Sequence, residues 1–538
     1  MPVGACPESR LPLLCAAFII IYTDNAEFIE PFEGLGDFCL RLRSLSRTVL
    51  PILLFTTLGF LVTGYHPGAE DDGIYLSAVK ADLNPALYPH DAPFFQLQMR
   101  ASIFDNLMVP FVRFTGIPVP WSELLWQLIS IALVLWACWS IVCQLFKETA
   151  ARWAGLAMVA AMFTLPVAGT ALLIVDQYLH PRALATAMIL FAVSRILAGR
   201  SWQAIPLGAM AFVFHPLMGI LGISFCCVLA VTTPDPLRRQ VRGLASRLKP
   251  RGAAPALVLI PFGWIFDPPS PTWLEALQSR HWFRLYQWEW YEWLGAVAPL
   301  LLFWLVSHLA RRQGDVKLAR LARAITLYGA FQMAIAMIIL GPQSLIGLST
   351  LEPMRFLHLI YVFMALIGGA YMGRYVLKAH IWRWALFLLL ANGGMFLAQR
   401  QSFPASEHIE LPGVQSANPW LQAFDWIKHN TPEDAYFALD PKYLAAPGED
   451  YHSFRALAER SQLADAIKDT SVVTKVPELG PAWKQQVDAQ KGWSRFQLAD
   501  FERLKAEFGV NWVLVAYPQP AGLDCLWHNG IVAACKIP

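Results

Sequence analysis

The sequence carries little charge. Only 15% of its 538 residues are Asp, Glu, Lys or Arg, whereas a soluble globular chain usually carries about a quarter. Hydrophobic residues make up 56% of the chain, the mean hydropathy is +0.43 and there are 21 tryptophans, a residue enriched where helices leave a bilayer. This composition excludes an ordinary soluble domain and predicts an α-helical polytopic membrane protein.

The motifs of several common enzyme classes are also missing. The nine cysteines form no CxxC pair, and the chain has no Walker A loop, GxSxG or HExxH, and no GxGxxG in a strand–helix context. Basic residues gather in short loops between apolar runs, so no nucleic-acid partner is predicted. No internal repeat and no low-complexity segment is present. What remains is chemistry at a membrane surface.

Loops rich in Lys and Arg predict the sidedness of the chain, because such loops stay in the cytoplasm. The apolar run at 11–22 is too short to span, so residues 1–47 are predicted to be a cytoplasmic extension. A transmembrane domain over 48–398 follows, with outer loops at 65–120 and 268–293. About 11 crossings are predicted, at 48–64, 122–146, 154–175, 183–199, two short helices within 203–232, 253–267, 294–310, 325–341, 356–376 and 383–398.

The tail has a different composition, with few long apolar runs and many turn-forming residues. Helices are predicted at 419–430 and 497–509, and strands at 434–440 and 510–517. Residues 399–538 are therefore predicted to be a small extracytoplasmic (periplasmic) α/β domain. Cys525 and Cys535 flank a closing hairpin around Asn529-Gly530. A strict two-residue turn would place Cys525 opposite residue 534, so a disulfide requires a longer loop or a bulge.

The stretch YHPGAEDD (65–72) opens directly after the first apolar run and ends in three carboxylates. One interpretation is that Asp71 or Asp72 caps the short helix that GIYLSAVKA predicts. The other is catalytic: Glu70, Asp71 or Asp72 takes a proton from an acceptor hydroxyl, or Asp71 and Asp72 help to bind a divalent cation such as Mg or Mn.

A second candidate lies in 273–293, WLEALQSRHWFRLYQWEWYEW. Its aromatic residues predict an interfacial helix. Arg280 and Arg284 stand one helical turn apart and would clamp a lipid phosphate through charge-assisted hydrogen bonds, with His281 assisting. The two interpretations are compatible.

Smaller candidates lie at the ends of predicted spans. His180 in DQYLHPR, His215 in FHP and Arg355 in LEPMRFLH are further candidate substrate or phosphate contacts. The structural alternatives are a capped turn, a helix kink and an arginine that snorkels to the interface. Arg355 enters an apolar run, which is costly unless it is paired, and Glu352 is its predicted partner.

The segments EDDGIYLSAVKADLNPALYPHD (70–91), FDWIKHNTPEDAYFALDP (424–441) and FRALAERS (454–461), together with the topology over 48–538, resemble the GT-C superfamily of membrane glycosyltransferases. The resemblance implies transfer of a sugar from a polyprenyl-phosphate-linked donor to an envelope acceptor at the outer face of a bacterial inner membrane. It points to the acids at 70–72 as the carboxylate site. The tail has no WWD-type triad, so protein N-glycosylation is not implied.

Two other functions stay open. A transporter or flippase of lipid-linked glycans would carry polar groups at mid-depth and paired halves. The predicted spans are nearly free of charge at mid-depth, which favours surface chemistry. A non-catalytic assembly protein would act through its tail and would not need the acids at 70–72.

Overall fold

The computed structural model describes residues 34–233 and 269–538. The predicted span 253–267 and most of the predicted extension 1–47 lie outside these ranges. Fourteen helices are described before the tail. Their bounds are α1 (Gly34–Thr63), α2 (Asp72–Leu83), α3 (Pro93–Met99), α4 (Phe104–Thr115), α5 (Val119–Leu145), α6 (Thr149–Ala161), α7 (Pro181–Leu197), α8 (Ala204–Phe214), α9 (Pro216–Thr232), α10 (Pro271–Gln278), α11 (Trp290–Arg312), α12 (Val316–Leu340), α13 (Leu357–Met372) and α14 (Ile381–Ser402).

The membrane character of the chain is confirmed, but the count of about 11 crossings is not. Within the described ranges, five helical segments are long and apolar enough to cross a bilayer: Val119–Leu145, Trp290–Arg312, Val316–Leu340, Ser344–Leu377 and Ile381–Ser402. Three apolar helices are shorter: Thr48–Thr63, Ser201–Phe214 and Pro216–Thr232. Burial differs sharply between helices. Every residue of α7 is buried, whereas only 11% of the apolar window of α14 is buried.

The prediction of a full span at 154–175 is wrong. Helix α6 has 13 residues and stops at Ala161, too short to cross a bilayer. The chain then forms an antiparallel ribbon of β1 (Pro166–Val167) and β2 (Leu172–Leu173). Gly169 at its turn has a φ of +60°, and a Cβ there would lie 2.3 Å from the Trp288 ring. An apolar composition alone does not distinguish such a ribbon from a helix.

The hairpin predicted within 203–232 is confirmed as two packed helices. Helices α8 and α9 meet at His215, whose Nδ1 accepts the backbone N–H of Met218 at 3.4 Å. A Cβ on Gly219 would lie 2.4 Å from the backbone of Phe212, so only glycine permits this close approach. Proline at 216 starts the second helix without losing a hydrogen bond.

The interfacial helix predicted over 273–293 is wrong as one continuous element. Helix α10 ends at Gln278, and two 3₁₀ turns follow at His281–Phe283 and Leu285–Gln287. Contacts with the tail hold this segment, because the Trp273 indole donates to the Thr474 carbonyl at 3.1 Å and Arg280 donates to the Ile467 carbonyl. Tertiary hydrogen bonds have overridden the helical periodicity.

The tail forms the predicted α/β structure around one five-stranded mixed sheet. The strands are β3 (Tyr436–Ala438), β4 (Ser461–Gln462), β5 (Trp512–Ala516), β6 (Asp524–His528) and β7 (Val532–Lys536), and the helices are α15 (Pro419–Asn430), α16 (Phe454–Ala458), α17 (Lys468–Lys475), α18 (Gly480–Ala489) and α19 (Leu498–Phe508). The strand order is β4–β3–β5–β7–β6, with β3 parallel to β4 and β5, and β7 antiparallel to β5 and β6. Gly509 ends α19 in a left-handed conformation, as expected for a C-cap.

The closing hairpin contains the Cys525–Cys535 disulfide. Strand β6 carries a register shift between Cys525 and Trp527, which brings Cys525 opposite Cys535. The sequence left this bond open and made a longer loop or a bulge its condition, and the structure has both the bulge and the bond.

The tail is docked onto the segment 65–120 through buried charges. The Arg455 guanidinium bonds Asp469 with both amino groups, at 2.8 and 2.9 Å, and donates its Nε–H to Asp91. All three side chains are at most 7% exposed. Nearby, the Lys80 ammonium of α2 contacts Glu459 at 2.6 Å. The buried guanidinium and its two carboxylates are stable away from water because they are hydrogen-bonded to one another and their charges compensate.

We expect Arg455→Ala to destabilise this junction strongly. Removal of the guanidinium leaves Asp91 and Asp469 buried without compensation, which costs about 3–5 kcal/mol in the free energy of unfolding. Arg503→Ala is the matched control, because Arg503 makes an exposed ion pair with Glu507 worth at most about 1 kcal/mol. Thermal unfolding of the full chain in detergent, followed by circular dichroism, measures both. Equal melting temperatures for the two variants would contradict the assignment.

Candidate functional site

A cavity of about 870 Å³ opens where the membrane helices meet the tail. Part of its lining is apolar and comes from the β1–β2 ribbon, Phe283 and Tyr361. Polar side chains from the loop after α1, from α17 and from other segments line the rest. Five acidic and five basic side chains line it: Glu70, Asp71, Asp176, Glu292 and Glu352, and Arg182, Arg280, Arg355, Lys468 and Lys475. The cavity therefore has room for an apolar chain and for a charged group.

Asp71 is one of two half-exposed carboxylates in this cavity, the other being Glu70. It occupies the position before α2, yet its side chain makes no capping hydrogen bond to the described helix, so the capping interpretation does not explain it. It lies 3.1 Å from the Lys468 ammonium and 3.8 Å from Nε2 of His180, with 35% of the side chain exposed. Enclosure alone would raise the pKa of Asp71, but Lys468 and His180 hold it well below its usual range.

His180 is oriented by its backbone surroundings. Its Nδ1 accepts the backbone N–H of Arg182 at 2.9 Å, so the ring hydrogen of the neutral form lies on Nε2, the atom nearest Asp71. Burial and the neighbouring Arg182 lower the pKa of His180. The histidine is thus a neutral donor directed at the Asp71 carboxylate, and it also caps α7, as the structural interpretation predicted.

The other two acids of the triplet have different environments. Glu70 lines the cavity in a left-handed backbone conformation, with φ of +51°, and pairs with Lys468. Asp72 is 1% exposed and does not line the cavity. Its Oδ2 accepts the Gly68 backbone N–H at 2.6 Å, and burial raises the pKa of Asp72 to about 6. Of the three acids, Asp71 alone combines access to the cavity with a neighbouring histidine.

The acids at 71 and 72 do not fit a shared magnesium or manganese ion. Such ions require several oxygen ligands around one point. The Asp71 carboxylate is already neutralised by Lys468, and the Asp72 carboxylate is directed at the Gly68 backbone. Three arginines and two lysines share the same cavity, which further disfavours a cation. No step is therefore assigned to a metal at these residues.

Three cations in the cavity retain hydrogen-bonding capacity. Arg182 bonds Asp176 through one amino group at 2.6 and 2.7 Å, while its other amino group has no partner in the described structure. The Arg280 Nε–H is likewise unpartnered in these ranges. Lys475 faces the cavity, and no hydrogen bond or ion pair to it is found within residues 34–233 and 269–538. Unpaired donors of positive charge favour an anionic ligand.

The arginine and histidine candidates are only partly brought together. Arg280, His281 and Arg355 line the cavity. His281 is 57% exposed and lies 3.6 Å from Glu292, and Arg355 pairs with Glu352 as predicted. Arg284 donates to the Gln278 carbonyl and His215 stacks on His180 at 5.7 Å, and neither lines the cavity. The cavity therefore contains Arg280 without Arg284, because α10 ends at Gln278 and the two arginines do not share one α-helical face, and their role in phosphate binding stays a prediction.

Sequence reasoning missed the two lysines of α17. Lys468 holds Asp71, and Lys475 supplies the unpaired ammonium. The segment KDTSVVTK places Lys468, Ser471 and Lys475 at helical spacings of three and four residues, and all three line the cavity. The polar face opposite Val472 and Val473 could have indicated that this helix contributes to a polar site. No feature of the neighbouring sequence, however, indicates that this site contains Asp71.

Comparison with known proteins gives no assignment. No family model matches the chain, and no curated protein matches it significantly.

The amine of Lys475 is expected to titrate at a lower pH than ordinary lysines. Enclosure and the nearby Arg355 lower the pKa of Lys475 to about 8, against roughly 10.4 for a free lysine. Since only the neutral amine is acylated, labelling of Lys475 should rise as the pH passes 8, and an anion bound beside it should slow the reaction. Mass spectrometry of the full chain after brief acylation measures the rate, with exposed Lys491 as internal standard. Identical pH profiles for the two lysines would contradict the assignment.

Proposed function

We propose that the protein is a membrane glycosyltransferase that moves a sugar from a polyprenyl-phosphate-linked donor to an acceptor hydroxyl of the cell envelope. The observation that carries the proposal is that Asp71 lines the same cavity as cationic groups with free hydrogen-bond donors, where the helices meet the tail. A base for a hydroxyl and a site for a departing phosphate are the two groups that this reaction needs.

The cavity suits a donor with an apolar chain and an anionic head. Leu172, Phe283 and Tyr361 give part of the lining an apolar surface. The phosphate would lie against the polar lining, where the Lys475 ammonium and the free donors of Arg182 and Arg280 form charge-assisted hydrogen bonds. The five helices long and apolar enough to cross a bilayer support a donor taken from the membrane.

In the transfer step, the acceptor oxygen attacks the anomeric carbon while its proton moves to the Asp71 carboxylate. The new bond joins the acceptor oxygen to the sugar, and the bond from the anomeric carbon to the phosphate oxygen breaks. The electron pair stays on the phosphate, where Lys475 and Arg280 stabilise the added charge. The proton then passes from Asp71 to solvent or to the departing phosphate. His180 orients the carboxylate through its Nε2.

The proposal places the tail on the outer face of a bacterial inner membrane. The Cys525–Cys535 disulfide supports this location, because the cytoplasm keeps thiols reduced. The basic loop at 236–251, which lies outside the described residues, supports the opposite side for that loop.

The first test is retention of the donor lipid. The full chain is purified with bacterial lipid extract and analysed by native mass spectrometry. Wild type should retain a polyprenyl phosphate species, and Lys475→Met and Arg280→Ala should weaken retention roughly 10- to 100-fold, because each removes a charged hydrogen-bond donor. Arg284→Ala is the matched control, since Arg284 does not line the cavity. Equal retention in all four chains, or none in wild type, would count against the proposal.

The second test is transfer itself. In proteoliposomes loaded with the retained donor and an envelope extract, Asp71→Asn should reduce transfer by about 100-fold or more, the usual loss when a general base is removed. Asp425→Asn makes the same change at an exposed carboxylate on α15 and should leave the rate unaltered. Undiminished transfer by Asp71→Asn would refute its role, whereas donor retention without any transfer would favour a flippase.

A further inference from the structure

Three segments that are distant in sequence meet at one buried point beside Phe403, a residue that also lines the cavity. His66 follows α1, Glu410 lies in the segment after α14, and His452 precedes α16. Backbone bridges join Tyr65 to Ile409 and Ala69 to His452, which fixes the three segments to one another. The two histidine side chains are at most 1% exposed and that of Glu410 is 9% exposed. We call these three side chains the His–Glu–His cluster.

The donor atoms of the cluster converge on the Glu410 carboxylate. His66 Nδ1 lies 2.8 Å from Oε1, and His452 Nε2 lies 3.1 Å from both oxygens. One donor atom from each residue falls within 4.8 Å of the others. A tetrahedral zinc ion with bonds of about 2.0–2.1 Å separates its ligand atoms by about 3.3 Å. The two nitrogen–oxygen distances to Glu410 would need to open by only a few tenths of an ångström to reach this separation.

The hydrogen bond on the far side of the His452 ring gives the strongest indication. Its Nδ1 lies 3.0 Å from the Glu449 carbonyl oxygen, which accepts and cannot donate, so Nδ1 carries the ring hydrogen. In the neutral ring, Nε2 then presents a lone pair to a carboxylate. Either a second proton or a cation must lie between them. Histidines that bind metals characteristically donate their other N–H to a carbonyl in this way.

The orientation of the other histidine ring is also fixed. The His66 ring stacks on Phe403 at 3.8 Å with an interplanar angle of 8°, which fixes its orientation.

We propose that the His–Glu–His cluster binds one divalent transition-metal ion, with zinc the best match. Two imidazole nitrogens and one carboxylate oxygen form a ligand set that zinc accepts readily, and the second carboxylate oxygen or a water completes the shell. The ion would fasten the tail to the end of α1 and to the segment after α14. This site is separate from Asp71 and does not depend on the proposed function.

The test uses the full chain purified in detergent without a polyhistidine tag. The protein is loaded with zinc, dialysed against a weak chelator and analysed for metal by mass spectrometry. One zinc per chain should remain, and cobalt in its place should give the visible absorption of a site with nitrogen and oxygen ligands. Zinc should also raise the melting temperature by mass action, and a strong chelator should reverse the rise.

Two variants and one control separate the site from simple hydrogen bonding. Glu410→Gln keeps hydrogen-bonding capacity at this position and supplies a poor ligand, so it should remain folded but lose the zinc. His452→Ala should lose zinc as well. His429→Ala removes a histidine that is 63% exposed in the tail and should keep full stoichiometry. A wild-type chain that retains no zinc, or equal zinc in Glu410→Gln, would overturn the proposal and leave a hydrogen-bonded cluster.

Discussion

The buried contact of Arg455 with Asp91 and Asp469 is the constraint on which the candidate site depends. Asp91 belongs to the segment between α2 and α3 and Asp469 to the first turn of α17, so one guanidinium fixes the tail against the membrane part. That placement brings Lys468 to Asp71 across 397 residues of sequence. A charge buried for stability thus also determines where the charges of the cavity lie.

The cavity is shared between two parts of the chain, and neither part forms it alone. The membrane part supplies the apolar lining, Asp71 and Arg182, whereas α17 supplies Lys468 and Lys475. Several of the charges pair with one another, and Lys475 and the Arg280 Nε–H have no carboxylate partner within the described residues. Fixed donors of this kind stabilise developing negative charge without reorganising, which is the physical reason for preferring a phosphate-bearing substrate.

Much of the fold follows from sequence patterns, and much of the site does not. Apolar runs predicted the long helices, and the basic run at 236–251 together with the FHP break predicted the α8–α9 hairpin. The disulfide was left open, with a bulge or a longer loop as its condition. The failures have physical causes. The ribbon at 166–173 is as apolar as a span, and hydrogen bonds from Trp273 and Arg280 to the tail broke a helix that periodicity favoured.

The sequence indicated only those residues of the candidate site that lie at the end of an apolar run. The acids at 70–72 were found because three carboxylates after an apolar run are conspicuous, but the choice of Asp71 required its contacts with Lys468 and His180. Lys475 and the His–Glu–His cluster escaped because their members are far apart in sequence. Only the folded chain brings Lys475 into one cavity with Asp71 and brings a ligand atom from each member of the cluster within 4.8 Å of the others.

The contrast in burial between α7 and α14 bears on how this chain changes over evolutionary time. Every side chain of α7 packs against protein, so an enlarged residue there meets a filled neighbour and costs about 1–3 kcal/mol. Only 11% of the apolar window of α14 is buried, and any apolar side chain on its exposed positions satisfies lipid. Divergent copies of this gene should therefore accumulate substitutions rapidly in the last helix and slowly in α7.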